Sequence, residues 1–279
     1  MYSSNRYVDR SLVTSGLNGD IFFAYDTHKK RDIVIKSLSA NSLTDSYYRE
    51  VGYLQKLKHP NIIKMYDYDS DMYSITLEKM DCDLLDYVSQ DISGSEALRC
   101  FMNLCKAVSY CHSKKIAHLD IKPENVLVSK DRKSIKLCDF GGCCKWKSGC
   151  KYVTDYNSTE AYSAPETFTD PAFLGDKADI WSLGIVLHVV MTKNWPCQGE
   201  TEEIAIKNLE KGNIVISSSF PKELVPLLNW ILSITPTERP TVNQIMDTIS
   251  QMHPVYYSPK IGRKGLKSTL NRILFKSRN

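Results

Sequence analysis

Asp120, Lys122, Asn125 and Asp139 stand close together in the chain and carry the oxygens and the cation that charge-moving chemistry needs. Asparagine and aspartate oxygens are hard ligands suited to a small divalent cation. A second carboxylate can accept or orient the proton of a hydroxyl group. A lone Asp or Lys is usually a solvated surface charge, but here Ile121, Val126 and Leu127 alternate with the charged residues and call for burial. The loop must therefore be held. Lys36 follows Ile33, Val34 and Ile35, a β-branched run, and Glu50 lies fourteen positions later. A strand lysine is ordinarily an exposed edge charge. Gly16 and Gly19 let backbone N–H groups approach an anion closely. Asn18-Gly19 is equally a hairpin signal, and the two readings are compatible.

The elements that must position these groups follow from periodicity. Short β-branched or aromatic runs at Asp20 to Tyr25, Asp32 to Leu38 and Met72 to Leu77 predict strands. Tyr47, Val51, Leu54 and Leu57 recur at helical spacing and predict a helix over about 44–57. Ser93 with Glu96 is a capping-box pattern and opens a long helix with Leu98, Phe101, Cys105 and Val108 on one face. Residues 176–191 are apolar nearly all round, as in a helix at the centre of a domain. Further helical patterns cover about 200–211, 221–233 and 241–251. A small β-rich lobe thus precedes a larger helical one, and a cleft between lobes is a common ligand site.

Read in order, the stretches are Ile33-Val34-Ile35-Lys36, Glu50, His118-Leu119-Asp120 through Asn125, Asp139-Phe140-Gly141, Ala164-Pro165-Glu166 and Asp179-Ile180-Trp181-Ser182-Leu183-Gly184. Together they resemble the eukaryotic protein kinase family over about residues 7–256. The resemblance implies an α+β, bilobal fold. Its small β-rich N-lobe would span about 1–80 and its helical C-lobe about 81–256, with a basic tail over 257–279. It implies a serine/threonine protein kinase that uses ATP and Mg²⁺ on protein substrates.

In that reading Asp120 accepts the substrate hydroxyl proton and Lys122 sits near the transferred phosphoryl group. Asn125 and Asp139 hold Mg²⁺, and Lys36, paired with Glu50, holds the α- and β-phosphates. Thr14, Gly16 and Gly19 form the phosphate loop, with Thr14 in place of the family's first glycine. Ile21 and Val34 lie above the adenine and Leu127 below it, Leu77 is the gatekeeper, and Glu78 to Met80 form the hinge. Glu166 and Arg239 match an ion pair that ties the activation segment to the C-lobe, and Asp179 would anchor the catalytic loop. Asp83 is expected near the ribose or the substrate. Lys122 and Thr159 follow the Ser/Thr pattern, and Glu124 offers a carboxylate to a basic substrate residue. Leu119 replaces the arginine through which many kinases read activation-segment phosphorylation, so an enzyme active without it is expected. A pseudokinase and a small-molecule kinase are the competing readings.

With 279 residues, 42% hydrophobic and 24% charged, the chain falls outside the disordered, collagenous and coiled-coil classes. Residues 1–10 hold no apolar run, so no cleaved signal peptide is expected, and an intracellular location follows, cytoplasmic with the nucleus also open. Reduced, unliganded thiols are expected of the nine cysteines. Seven of the 36 basic residues and none of the 32 acidic ones lie beyond residue 250, so the tail carries the whole positive excess. Leu266, Leu270, Ile273 and Leu274 share one helical face there. An acidic membrane, an acidic partner and the kinase domain itself are its expected contacts. No specific nucleic-acid partner is expected.

Overall fold

The computed structural model describes residues 6–16, 19–38, 44–146, 152–153, 160–170, 172–197 and 202–252. The chain opens with strands β1 (Tyr7–Gly16), β2 (Gly19–Asp26) and β3 (Arg31–Ser37), followed by helix α1 (Thr44–Lys56) and strands β4 (Met65–Asp69) and β5 (Ser74–Glu78). These strands form one antiparallel sheet in the order β1-β2-β3-β5-β4. The last strand starts later than its apolar run suggested. Asp69 Oδ1 accepts from the N–H groups of Asp71 (2.9 Å) and Met72 (3.0 Å), which folds Met72 into the turn.

Strand alternation decides where Lys36 points. Ile33 and Ile35 enter a small outer core with Tyr7 and Ala24. Val34 and Lys36 must then face the other way, because successive strand side chains alternate. Their cross-strand partners share that face. Val34 pairs with Phe23 and Leu77, and Lys36 with Ile21 and Ile75. With neighbours on both sides, β3 is central, so Lys36 is not an edge charge. Tyr47, Val51 and Leu54 seat α1 on the same side of the sheet, in the main core.

After the short β6 (Cys82–Asp83) come α2 (Leu84–Ser89), α3 (Gly94–Ser113), β7 (Ile116–Ala117), β8 (Val126–Val128) and β9 (Ile135–Leu137). Then follow β10 (Cys144–Lys145), β11 (Tyr152–Val153), α4 (Glu166–Thr169), β12 (Ala172–Phe173) and α5 (Gly175–Thr192). The last helices are α6 (Glu202–Glu210), α7 (Val225–Ile231) and α8 (Val242–Gln251). Helix α5 is buried along nearly its whole length and packs on α3 and α7, as its all-round apolar sequence requires.

The capping box expected at Ser93 is half formed. Ser93 Oγ accepts from Glu96 N–H (3.2 Å), but the Glu96 carboxylate takes the Tyr87 hydroxyl instead of the Ser93 amide. The complete box lies at α8, between Thr241 and Gln244. No helix among the described residues is long and apolar enough to cross a membrane.

Candidate active site

The loop from His118 to Asn125 joins β7 to β8 and ends in a turn of 3₁₀-helix over Pro123–Asn125. It hangs from Asp179, a fully buried carboxylate on α5. Asp179 Oδ2 accepts from His118 N–H and Oδ1 from Leu119 N–H, both at 2.8 Å. His112 Nε2 also meets Oδ2 at 2.8 Å. This clamp holds Leu119 in a left-handed conformation (φ 66°), which a leucine seldom adopts unaided. Ile121 and Val126 are buried and Leu127 is half-buried, as their apolar types demanded.

Asn125 turns back on Asp120. Its Nδ2 donates to the Asp120 carbonyl (2.8 Å) and to Asp120 Oδ2 (2.7 Å). Both amide protons are thereby used, so the oxygen Oδ1 is the atom left to act as an acceptor. Lys122 Nζ lies 3.0 Å from the same Asp120 Oδ2.

Lys36 joins the two lobes. Its Nζ is 2.8 Å from Glu50 Oε2 on α1 and 3.0 Å from Asp139 Oδ1 beyond β9. The short separation of Lys36 and Glu50 in sequence does not prevent the pair. The Lys36 ammonium holds Asp139 down to about 2. Burial opposes the charge on Lys36, but Asp139 and Glu50 outweigh it and raise its pKa. Burial pushes the Glu50 carboxyl up, against the pull of the Lys36 ammonium. Asp139 itself has φ 62°, and the following Phe140 ring meets His118 edge-on at 4.9 Å. A side chain at Gly141 would strike Ser46 of α1, so α1 and this segment touch directly.

Of the remaining expected positions, Thr14, Ile21, Val34 and Leu77 share the Lys36 face of the sheet, and Leu127 lies on β8. Thr14 pairs with Ile21, and Gly16 with Gly19, across the β1–β2 hairpin. A Cβ at Gly16 would meet nothing within 4 Å, so this turn leaves room for an anionic group. Gly19 (φ 109°) is held against the Ser37 carbonyl. Leu77 and Met80 are buried, and Val34 and Leu127 pack partly against the main core. Glu78 Oε1 accepts from Lys64 N–H (2.6 Å) and meets Lys136 Nζ (2.9 Å), while its amide donates to the Lys64 carbonyl (2.9 Å). Asp83, expected at a ribose or substrate, caps α2 through Oδ1 and Asp86 N–H (2.8 Å).

Glu166 and Arg239 form a bidentate pair, both contacts 2.7 Å, with the guanidinium fully buried and further bonded to the Ser233 and Lys177 carbonyls. Removing one member of such a pair typically costs about 3–5 kcal/mol. Thr159 lies outside the described residues.

The pattern of the protein kinase domain matches residues 7–249. The chain belongs to the protein kinase domain family. It is 31% identical over 240 residues to the carbon catabolite-derepressing protein kinase of Saccharomyces cerevisiae, covering 83% of this chain and 38% of that protein. It is 33% identical to the serine/threonine-protein kinase SIK2 of Gallus gallus over 225 residues, 77% of this chain and 28% of that one. The sucrose non-fermenting protein kinase 1 of Fusarium virguliforme is 32% identical over 217 residues, 76% of this chain and 31% of its own length. The chain thus spans between about a quarter and two fifths of these relatives.

Several features of this kinase domain carried no signal in the sequence. His112 reaches Asp179 from the far end of α3, a contact no local pattern encodes. Glu124 is half-buried, and burial pushes its carboxyl up to about 7. Among the described residues, one of its oxygens and the buried Tyr162 hydroxyl have no hydrogen-bond partner. For Mg²⁺ the donor set fits: a carboxylate at Asp139 and the free amide oxygen of Asn125 are hard ligands. Among the described residues no His, Cys, Asp and Glu cluster suits a transition metal.

Proposed function

We propose that this chain is an active serine/threonine protein kinase, moving the γ-phosphoryl group of ATP to hydroxyls on protein substrates. The observation that carries this reading is Lys36, placed 2.8 Å from Glu50 and 3.0 Å from Asp139, residues from two lobes. Lys36 orients the α- and β-phosphates. Asp120, held by Asn125 Nδ2, takes or orients the substrate hydroxyl proton. Lys122 offers a cation beside the attacking oxygen. Asn125 and Asp139 would hold Mg²⁺, whose charge neutralises the phosphoryl oxygens when bound. Thr14, Gly16 and Gly19 cover the phosphates. Ile21, Val34 and Leu127 enclose the adenine, with Leu77 at the back and Glu78 to Met80 along its edge.

Residues 1–256 carry the kinase domain and 257–279 a basic tail suited to acidic surfaces or to the domain itself. The eight cysteines among the described residues are free thiols, which favours a reducing, intracellular compartment such as the cytoplasm. The test is turnover of the purified chain on a basic protein with Mg²⁺ and ATP. Asp120→Ala should lower it by about 10²–10⁴-fold and leave ATP binding nearly intact. Full activity in that variant overturns the assignment. ATP binding without turnover in the natural chain indicates a pseudokinase, and transfer to a sugar or choline a small-molecule kinase.

A further inference from the structure

In the C-lobe the end of α3 and the starts of α5 and α8 meet around a cavity of about 290 Å³. None of Lys36, Asp120, Lys122, Asn125 and Asp139 lines it, so it is distinct from the cleft. Ile180, Pro240 and Val242 are buried and give it an apolar side. Trp146 and His112 give it an aromatic corner, their rings edge-on at 5.4 Å. Trp146 is held in place, because its backbone N–H donates to the Lys115 carbonyl at 2.9 Å.

Charge and hydrogen-bond capacity define what such a cavity would take. Asp176 and Lys177 both line it and their charges cancel, so with a neutral His112 the walls carry no net charge. Lys177 Nζ is already engaged by the Arg239 carbonyl at 2.6 Å. Ser109 Oγ donates to Asn243 Oδ1 at 2.7 Å. Both Nδ2 protons of Asn243 are therefore left without a partner among the described residues. At the other wall, His112 Nε2 meets Asp179 Oδ2 at 2.8 Å. A carboxylate only accepts, so Nε2 is the donor there and the neutral ring keeps Nδ1 as an acceptor. That nitrogen has no partner among the described residues either. A spare donor and a spare acceptor among apolar and aromatic walls suit a flat ring whose edge carries both an N–H and a carbonyl. The volume lies at the small end of ligand pockets, enough for two fused rings.

We propose that this cavity binds a small neutral heterocycle of the oxopurine kind, with an N–H and a carbonyl on one edge. Its ring lies against Trp146, its carbonyl accepts from Asn243 Nδ2 and its N–H donates to His112 Nδ1. That last contact reaches the catalytic loop. An occupant bonded to Nδ1 fixes the His112 ring, and the ring fixes Asp179, whose two oxygens hold the His118 and Leu119 amides at 2.8 Å.

Hypoxanthine is the probe, and the full chain labelled with 5-fluorotryptophan is the reporter. The chain has four tryptophans, and Trp146→Phe assigns the resonance of Trp146. Hypoxanthine should move that resonance with a dissociation constant below about 1 mM while ADP and Mg²⁺ fill the cleft. Asn243 is exposed, and Asn243→Leu leaves the Thr241 cap of α8 in place, so this variant should fold and bind about tenfold or more weakly. With hypoxanthine bound, the His118 and Leu119 amide hydrogens should exchange about threefold or more slowly. Displacement by ADP, an unmoved Trp146 resonance, or equal affinity in Asn243→Leu would overturn the site. Benzoate or inorganic phosphate binding as tightly as hypoxanthine would overturn the neutral class of ligand. Unchanged amide exchange with hypoxanthine bound would overturn the link to the catalytic loop.

Discussion

Asn125 is fixed by what its amide nitrogen does. Two short hydrogen bonds to Asp120 consume both protons, so the orientation of the amide follows from the loop and needs no ligand to set it. The same contacts hold the Asp120 carboxylate between an amide and the Lys122 ammonium. A change that keeps shape but removes the donors should therefore be harmful even though it adds a metal-binding oxygen. Asn125→Asp sets a second carboxylate against Asp120 Oδ2, and like charges in contact force one toward protonation. The expected loss is about 1–3 kcal/mol of stability, read by urea denaturation. Steady-state turnover should fall by about tenfold or more. Wild-type turnover with unchanged stability would show that Nδ2 does not position Asp120.

The β1–β2 hairpin separates two jobs that one glycine pattern hides. Both glycines were legible in the sequence, but their reasons were not, because the reasons lie in strand β3. Gly19 has φ 109° and its Cβ would collide with the Ser37 carbonyl, whereas Gly16 faces open space. Gly19→Ala should cost about 1–3 kcal/mol in stability. Gly16→Ala should leave stability unchanged or slightly higher and instead raise the KM for ATP, because the new methyl enters the space kept for phosphate. Denaturation midpoints and ATP titrations of the two variants distinguish these outcomes. A stability loss at Gly16 equal to that at Gly19 would count against a phosphate role. The helix starts tell a similar story. Ser93 marked α3 correctly because its bond to Glu96 N–H is local. The Glu96 carboxylate departed because Tyr87, on another helix, offers a hydroxyl. The box at Thr241 and Gln244 was written in the sequence with glutamine in place of glutamate and could have been found.

At the scale of the molecule, order of motifs conveyed the two lobes, since alternation and helical period are local properties. The motif led to the expectation that Asp179 anchors the loop, and it holds the His118 and Leu119 amides, but His112 joining the same carboxylate and the burial that raises Glu124 stayed illegible. Those contacts bear on control. Leu119 is 3% exposed, its amide is bonded to Asp179 and its backbone is left-handed, so apolar burial and a buried carboxylate set the loop where other kinases use an arginine. Further along, Glu166 and Arg239 fasten the segment's end through two 2.7 Å contacts. A phosphate on the segment would find lysines such as the exposed Lys145, and such pairs contribute about 0–1 kcal/mol each. Moving an equilibrium from 99:1 to 1:99 takes about 5.5 kcal/mol. A few screened lysine pairs fall short of that, while the clamps on Leu119 and Arg239 need no phosphate. The unphosphorylated enzyme, treated with phosphatase and verified by mass, should therefore turn over at a rate close to that of the phosphorylated form. Activity that appears only after phosphorylation of Thr154 or Ser158, and disappears in Thr154→Ala or Ser158→Ala, would show that these clamps are insufficient.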